Sequence, residues 1–183
     1  MLTAYDTWSA KLLAQTQVDA LLVGDSCAMV MHGAADTLAA TPEMMALHTR
    51  AVRKGAPDLF IVGDLPFLAY RSSREKAIDC VLAVMQAGAQ AVKLEGAAGN
   101  LELVRHLVES GVPVMGHLGL TPQSVHALGG FRVQGRSESQ QEQILQAALS
   151  LQEAGCFSLV LECVPSALAE KITAALTIPT IGI

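Results

Sequence analysis

The sequence predicts a parallel α/β barrel, and three observations carry that prediction. Four short apolar runs end on an acid: Leu21 to Asp25, Phe60 to Asp64, Ala91 to Glu95 and Leu159 to Glu162. Helix-like segments closing on glycine alternate with these runs. The spacing of the strand tips averages what an eight-unit barrel of ~250 residues gives. Continuous apolar runs, without polar alternation, are the pattern of strands buried on both faces by crossover helices. In such a barrel the C-terminal strand tips converge on one face, so carboxylates distant in sequence gather around one ligand.

Taken in order, strands are expected at Met1 to Tyr5, Ala20 to Gly24, Leu59 to Gly63, Ala91 to Leu94, Val112 to Gly116, Ser158 to Leu161 and Ile178 to Ile183. Helices are expected at Ala46 to Lys54, Arg74 to Ala87, Leu101 to Ser110 and Gln140 to Ala154. Each is followed by a glycine (Gly55, Gly88, Gly111, Gly155) suited to the left-handed position past a helix end. Thr41 before Pro42 reads as an N-cap and first helical turn, and Ser72 with Glu75 has capping-box spacing. These seven strands over residues 1–183 are expected to form a single barrel domain that lacks its eighth unit, because the sequence stops at Ile183 inside an apolar run. A barrel left open there exposes ladder edges and apolar surface, which predicts aggregation or reliance on a partner.

Composition excludes several classes of function. With 51% hydrophobic residues and a formal charge of −5, the chain has a substantial core and no basic footprint for nucleic acid. The one basic stretch, Arg50 to Lys54, suits a helix face. Every apolar run is interrupted well short of the ~20 residues of a spanning helix, and no secretory leader is visible, so no membrane partner and a cytoplasmic location are expected. Cys27, Cys80, Cys156 and Cys163 lack paired spacing and read as reduced, mostly core, thiols.

The candidate site begins with Lys93 and Glu95, which lie two apart on one strand and so point to one side, while Val92 and Leu94 point to the other. The charged pair is expected to face the barrel interior, where Lys93 needs anions beside it. Asp25 and Asp64 each follow a glycine at a strand end. Singly, either suits a cap or a loop ion pair; together with Glu95 they form an all-oxygen set that favours Mg²⁺ or Mn²⁺ over zinc. Glu162, ending the sixth strand, suits a general base or a further ion-pair partner of Lys93. His117 suits either a hydrogen-bond donor to an oxyanion or a satisfied core histidine. His32, His48, His106 and His126 read as loop or helix-surface residues. Gly129, Gly130 and Gly135 surround a stretch that reads as a loop over the site, since it lacks the phosphate-binding patterns.

These residues carry a resemblance. Gly24-Asp25-Ser26, Asp64-Leu65-Pro66-Phe67, Lys93-Leu94-Glu95-Gly96, the run Gly116 to Ser124, Gln134-Gly135-Arg136 and Leu161 to Pro165 resemble the ketopantoate hydroxymethyltransferase family nearly end to end. The resemblance implies a (β/α)8 TIM barrel of the phosphoenolpyruvate/pyruvate-binding type. It also implies transfer of a hydroxymethyl group from 5,10-methylenetetrahydrofolate, as cosubstrate, to 3-methyl-2-oxobutanoate in pantothenate and coenzyme A synthesis. By position it assigns Mg²⁺ to Asp25, Asp64 and Glu95, oxo-acid contacts to Asp25, Ser26, Asp64 and Lys93, and proton abstraction to Glu162; a supporting role for His117 is our addition. It further implies a homo-oligomer, decameric in bacterial members. Against the family pattern, the leading segment and the part after Ile183 are absent, and Cys27-Ala28 replaces a bulkier or glycine-containing pair. The competing expectations are an inactive fragment of such an enzyme and a Mg²⁺-dependent carbon–carbon lyase or mutase of the same superfamily. The lysine- and cysteine-rich loop of those enzymes is not found here.

Overall fold

A computed structural model describes residues 1–183. It carries seven parallel strands whose order in the sheet is their order in the chain. The chain divides into two units, Met1–Lys93 and Leu94–Ile183, with the boundary inside the fourth strand.

The first unit runs β1 (Leu2–Thr3), α1 (Thr7–Leu13), β2 (Ala20–Val23), α2 (Cys27–His32), a 3₁₀ turn at Thr37–Ala39, α3 (Pro42–Gly55), β3 (Phe60–Asp64), α4 (Arg74–Gln86) and the start of β4 (Ala91–Glu95). Leu21, Met45, Val52, Ile61 and Leu65 are fully buried, each such side chain contributing about 1.5–3 kcal/mol relative to exposure. Thr41 caps α3 through its hydroxyl, accepting from the Met44 amide, with Pro42 in the first turn as expected. The capping box expected at Ser72 is corrected: Ser73 is the cap of α4, accepting from the Lys76 amide. Ser72 alone has the Glu three residues on, yet the cap is Ser73, whose backbone is extended and whose third following residue is Lys76, so a simple N-cap forms and no capping box.

Gly55 is a second correction. It lies inside α3 rather than past its end, and a Cβ there would meet the Thr7 carbonyl oxygen at 2.2 Å. Its glycine is required by the close approach of α1 to α3. At the strand entrances, the Arg53 guanidinium donates to the carbonyls of Gly88, Ala56, Pro57 and Leu59 and to Gln90 Oε1, which also accepts from the Ile61 amide. One planar fork thus ties the end of α3 to the beginnings of β3 and β4.

The second unit continues from β4 through α5 (Leu101–Glu109), β5 (Val114–Gly119), a 3₁₀ turn at Pro122–Ser124, α6 (Val125–Leu128), α7 (Glu138–Glu153), β6 (Ser158–Glu162), α8 (Ser166–Ala175) and β7 (Thr180–Gly182). Leu94, Leu107, Leu151, Leu159, Leu161 and Ile172 form its core. Ser137 and Gln140 make a reciprocal capping box that starts α7. Gly88, in the first unit, and Gly111 and Gly155, in the second, take positive φ just past α4, α5 and α7, as the sequence predicted. β5 starts two residues later than expected and runs three further, so that His117 is within the strand. β1 is only two residues long. No helix is long and apolar enough to cross a membrane.

Candidate functional site

In the first unit, the tips of β2, β3 and β4 bring together Asp25, Ser26, Asp64 and Lys93. Strand register sets Asp64 beside Lys93, and Lys93 Nζ lies 2.9 Å from Asp64 Oδ1 with both side chains about 5% exposed or less. The ammonium stands outside hydrogen-bonding angles, so Asp64 Oδ1 accepts no hydrogen bond. Asp64 Oδ2 accepts from the Asp25 amide at 3.0 Å. Asp25 is itself buried. Three ionisable groups held this far from water are costly unless they pair with one another or with a ligand.

Ser26 is the N-cap residue of α2, yet its side chain makes no cap hydrogen bond. Its hydroxyl instead meets the Tyr5 hydroxyl at 2.8 Å. Burial pushes the Tyr5 phenol above its ordinary value, and the nearby Cys27, Asp64 and Asp25 add to the rise while Ser26 opposes it. Tyr5 therefore stays protonated at neutral pH. A Cβ at Gly24 would come within 2.8 Å of Ser26 Oγ and 3.6 Å of Asp64 Oδ2, so glycine there keeps the approach to these oxygens open. Asp25 and Asp64 are hard oxygen donors of the kind that suits Mg²⁺, although no group of three or more His, Cys, Asp or Glu side chains is arranged to hold a metal ion.

The second unit brings together Glu95, His117 and Glu162 from the tips of β4, β5 and β6. His117 Nδ1 lies 3.5 Å from Glu95 Oε1, and His117 Nε2 lies 3.2 Å from Glu162 Oε2. Glu95 and His117 are buried, whereas the Glu162 side chain is 22% exposed. Glu95 Oε2 accepts from the Gln123 amide, which the turn after β5 presents at 3.0 Å. Asn100 fixes the strand end by donating from Nδ2 to the Glu95 and Gly96 carbonyls. The imidazole thus spans two carboxylates. Such an arrangement places an imidazole nitrogen beside the outer carboxylate.

Sequence reasoning missed four participants. Tyr5 sits just past a strand tip, where the acids were sought, so its position was a usable signal. Gln123 acts through its backbone and Asn100 through a loop, and neither leaves a pattern. His48, expected on a surface, is buried on α3, with Nδ1 2.6 Å from the Tyr5 carbonyl oxygen and Nε2 2.8 Å from His32 Nε2. His126 is exposed as expected. In the glycine-rich stretch, the Gln134 amide donates to the Cys163 carbonyl at 2.9 Å, tying the stretch to the turn after Glu162. Burial pushes the Cys27, Cys80 and Cys156 thiols up to about 12, with Asp25 and Asp64 adding to the rise at Cys27 and Glu43 at Cys80. These three are core thiols, as expected.

Comparison with known proteins gives a consistent picture. Residues 1–183 match the family described as ketopantoate hydroxymethyltransferase. The chain is 63% identical over 183 residues to a 3-methyl-2-oxobutanoate hydroxymethyltransferase from Bdellovibrio bacteriovorus, covering all of this chain and 70% of that protein. It is 56% identical over 184 residues to a protein of the same name from Coxiella burnetii, covering all of this chain and 69% of that one. Among solved structures, 2,3-dimethylmalate lyase, a member of the PEP mutase/isocitrate lyase superfamily, matches with a TM-score of 0.71 at 16% identity, covering 98% of this chain and 64% of that one. Phosphonopyruvate hydrolase matches with a TM-score of 0.73 at 11% identity, covering 100% and 65%. At these identities the structures establish the fold alone: that of a (β/α)8 barrel, of which this chain carries seven strands.

Proposed function

This chain belongs to the ketopantoate hydroxymethyltransferase family, and we propose that it transfers a hydroxymethyl group from 5,10-methylenetetrahydrofolate to 3-methyl-2-oxobutanoate through an enolate. The observation that carries this reading is the buried Lys93–Asp64 pair beside Asp25. Fixed charges kept out of water at strand tips serve a charged substrate better than they serve stability.

Asp25 and Asp64 would hold Mg²⁺, with Glu95 the third carboxylate that the resemblance assigns. Bound there, the cation supplies Lewis acidity toward the oxo and carboxylate oxygens of the substrate. Ser26 and Lys93 bind and orient the oxo acid, and the Lys93 ammonium faces the negative charge that develops on the oxo oxygen. Glu162 takes the proton from C3. Its 22% exposure leaves it reachable, and His117 Nε2 stands beside it at 3.2 Å. C3 then bonds to the one-carbon unit, tetrahydrofolate leaves, and one water supplies the hydroxyl oxygen.

A homo-oligomer is what the family resemblance implies, and a cytoplasmic enzyme fits the reaction. The lyase and hydrolase names among the solved structures add nothing to the choice of reaction, because those likenesses carry only the fold.

The test is proton NMR of 3-methyl-2-oxobutanoate in D₂O with the protein, without folate, comparing Mg²⁺ with EDTA. The expected result is Mg²⁺-dependent loss of the C3 proton signal. A C3 signal that persists under both conditions overturns the enolate reading.

A further inference from the structure

Tyr5 lies beyond the last ladder pair of β1 and before α1, so neither element fixes its backbone. Its carbonyl is held instead by His48 of α3, 43 residues away, at 2.6 Å. A carbonyl oxygen only accepts, so His48 Nδ1 carries the hydrogen. In a neutral ring Nε2 is then bare, and the His32 Nε2–H at 2.8 Å is its donor. The two rings stand nearly perpendicular, at 80°. With both rings neutral one arrangement follows: His32 donates to His48, His48 donates to the Tyr5 carbonyl, and the Tyr5 hydroxyl meets Ser26 Oγ at 2.8 Å. The opposite tautomer of His48 would aim a lone pair at the carbonyl and release Tyr5.

We infer that His48, locked by His32, is a positioning residue that fixes Tyr5 so that the Tyr5 hydroxyl sets the orientation of Ser26. Its consequence for substrate rests on the function proposed above, in which Ser26 contacts the oxo acid. His48 touches neither substrate nor reacting atoms. Its effect travels through one backbone carbonyl and one phenol.

The first arm of the test reads nitrogen shifts of histidine-labelled protein without substrate. His48 is expected with Nδ1 protonated and Nε2 bare, and protonation on Nε2 instead overturns the inference. The second arm uses His48→Asn, whose amide nitrogen takes the place of Nδ1, and His48→Gln, whose amide nitrogen takes the place of Nε2. H48Q is expected to raise KM for the oxo acid in the C3-exchange assay about tenfold with a smaller change in kcat, the worth of one lost hydrogen bond. H48N is expected to stay within about threefold of the parent. Both variants are expected to lose thermal stability to a similar degree, so equal KM values in the two would reduce His48 to a structural role and overturn the inference. Failure of the assigned reaction appears as absent exchange in the parent, whereas failure of the relay appears in the nitrogen shifts.

Discussion

Replacing Lys93 by methionine tests whether the buried pair costs the fold stability when broken. The ammonium and carboxylate are 2.9 Å apart and almost fully buried. At an effective dielectric of about 20 their gross attraction is about 6 kcal/mol, and the desolvation of both ions stands against it. Methionine fills the space of the lysine stem, so no cavity term enters. What remains is a stranded carboxylate, with the Asp25 amide on Oδ2 as its anchor. Loss of one partner of a buried pair costs about 3–5 kcal/mol, and that surviving hydrogen bond places K93M near the lower figure. The assay is urea denaturation followed by circular dichroism, in EDTA, at constant slope. Adding Asp64→Asn removes the stranded charge and is expected to recover about 1–2 kcal/mol over K93M alone. A K93M loss under about 1 kcal/mol, or a double variant no more stable than K93M, would refute the reasoning.

Three further outcomes are expected. Glu162→Gln should slow C3 exchange by about 10²–10⁴-fold while oxo-acid binding, read by titration, stays within a small factor; retained exchange removes Glu162 from the role of base. Gly119→Ala should lower stability by about 2–4 kcal/mol in thermal melts, because Gly119 has φ +92° and a Cβ there would meet the Glu162 carbonyl oxygen at 2.2 Å. An unchanged melting temperature would show that β5 and β6 separate without cost. The raised thiols of Cys27, Cys80 and Cys156 set the sign of an alkaline effect. Between about 9 and about 12 the unfolded chain has released protons that the folded chain keeps, so stability falls with rising pH, by up to ~1.4 kcal/mol per pH unit for each thiol. Cys156→Ala should flatten that fall in urea midpoints measured from pH 8 upward.

The strands and their acids were legible because burial on both faces leaves an unmistakable mark: apolar letters up to the tip, then one carboxylate. That Lys93 needs an anion was legible, but its partner was not: the structure sets it against Asp64, which strand register supplies. Gly55 was misread because a glycine that admits a neighbouring helix and a glycine that ends a helix are the same letter. Ser72 was misread because Glu75 gives it capping-box spacing, whereas the cap is set by the extended backbone at Ser73, which spacing does not encode. His48 was misread for a different reason: its burial arises from a carbonyl 43 residues earlier, and single-helix patterning carries no trace of such a partner. For His117, sequence left open whether a ligand or the core claimed it, and the structure shows two carboxylates flanking it.

Arg53 has a consequence for how long the folded first unit lasts. Its bonds to Gly88 and Gln90 join segments 35 and 37 residues apart, and contacts of that separation are expected to close late in assembly. Contacts made that late in assembly govern the escape rate from the native state more than the rate of reaching it. Arg53→Lys keeps the charge but loses the planar fork, and should speed unfolding while leaving refolding nearly unchanged. The durability of the charged tips at Asp64 and Lys93 is thus set at the opposite end of the same two strands, by a residue with no part in the chemistry.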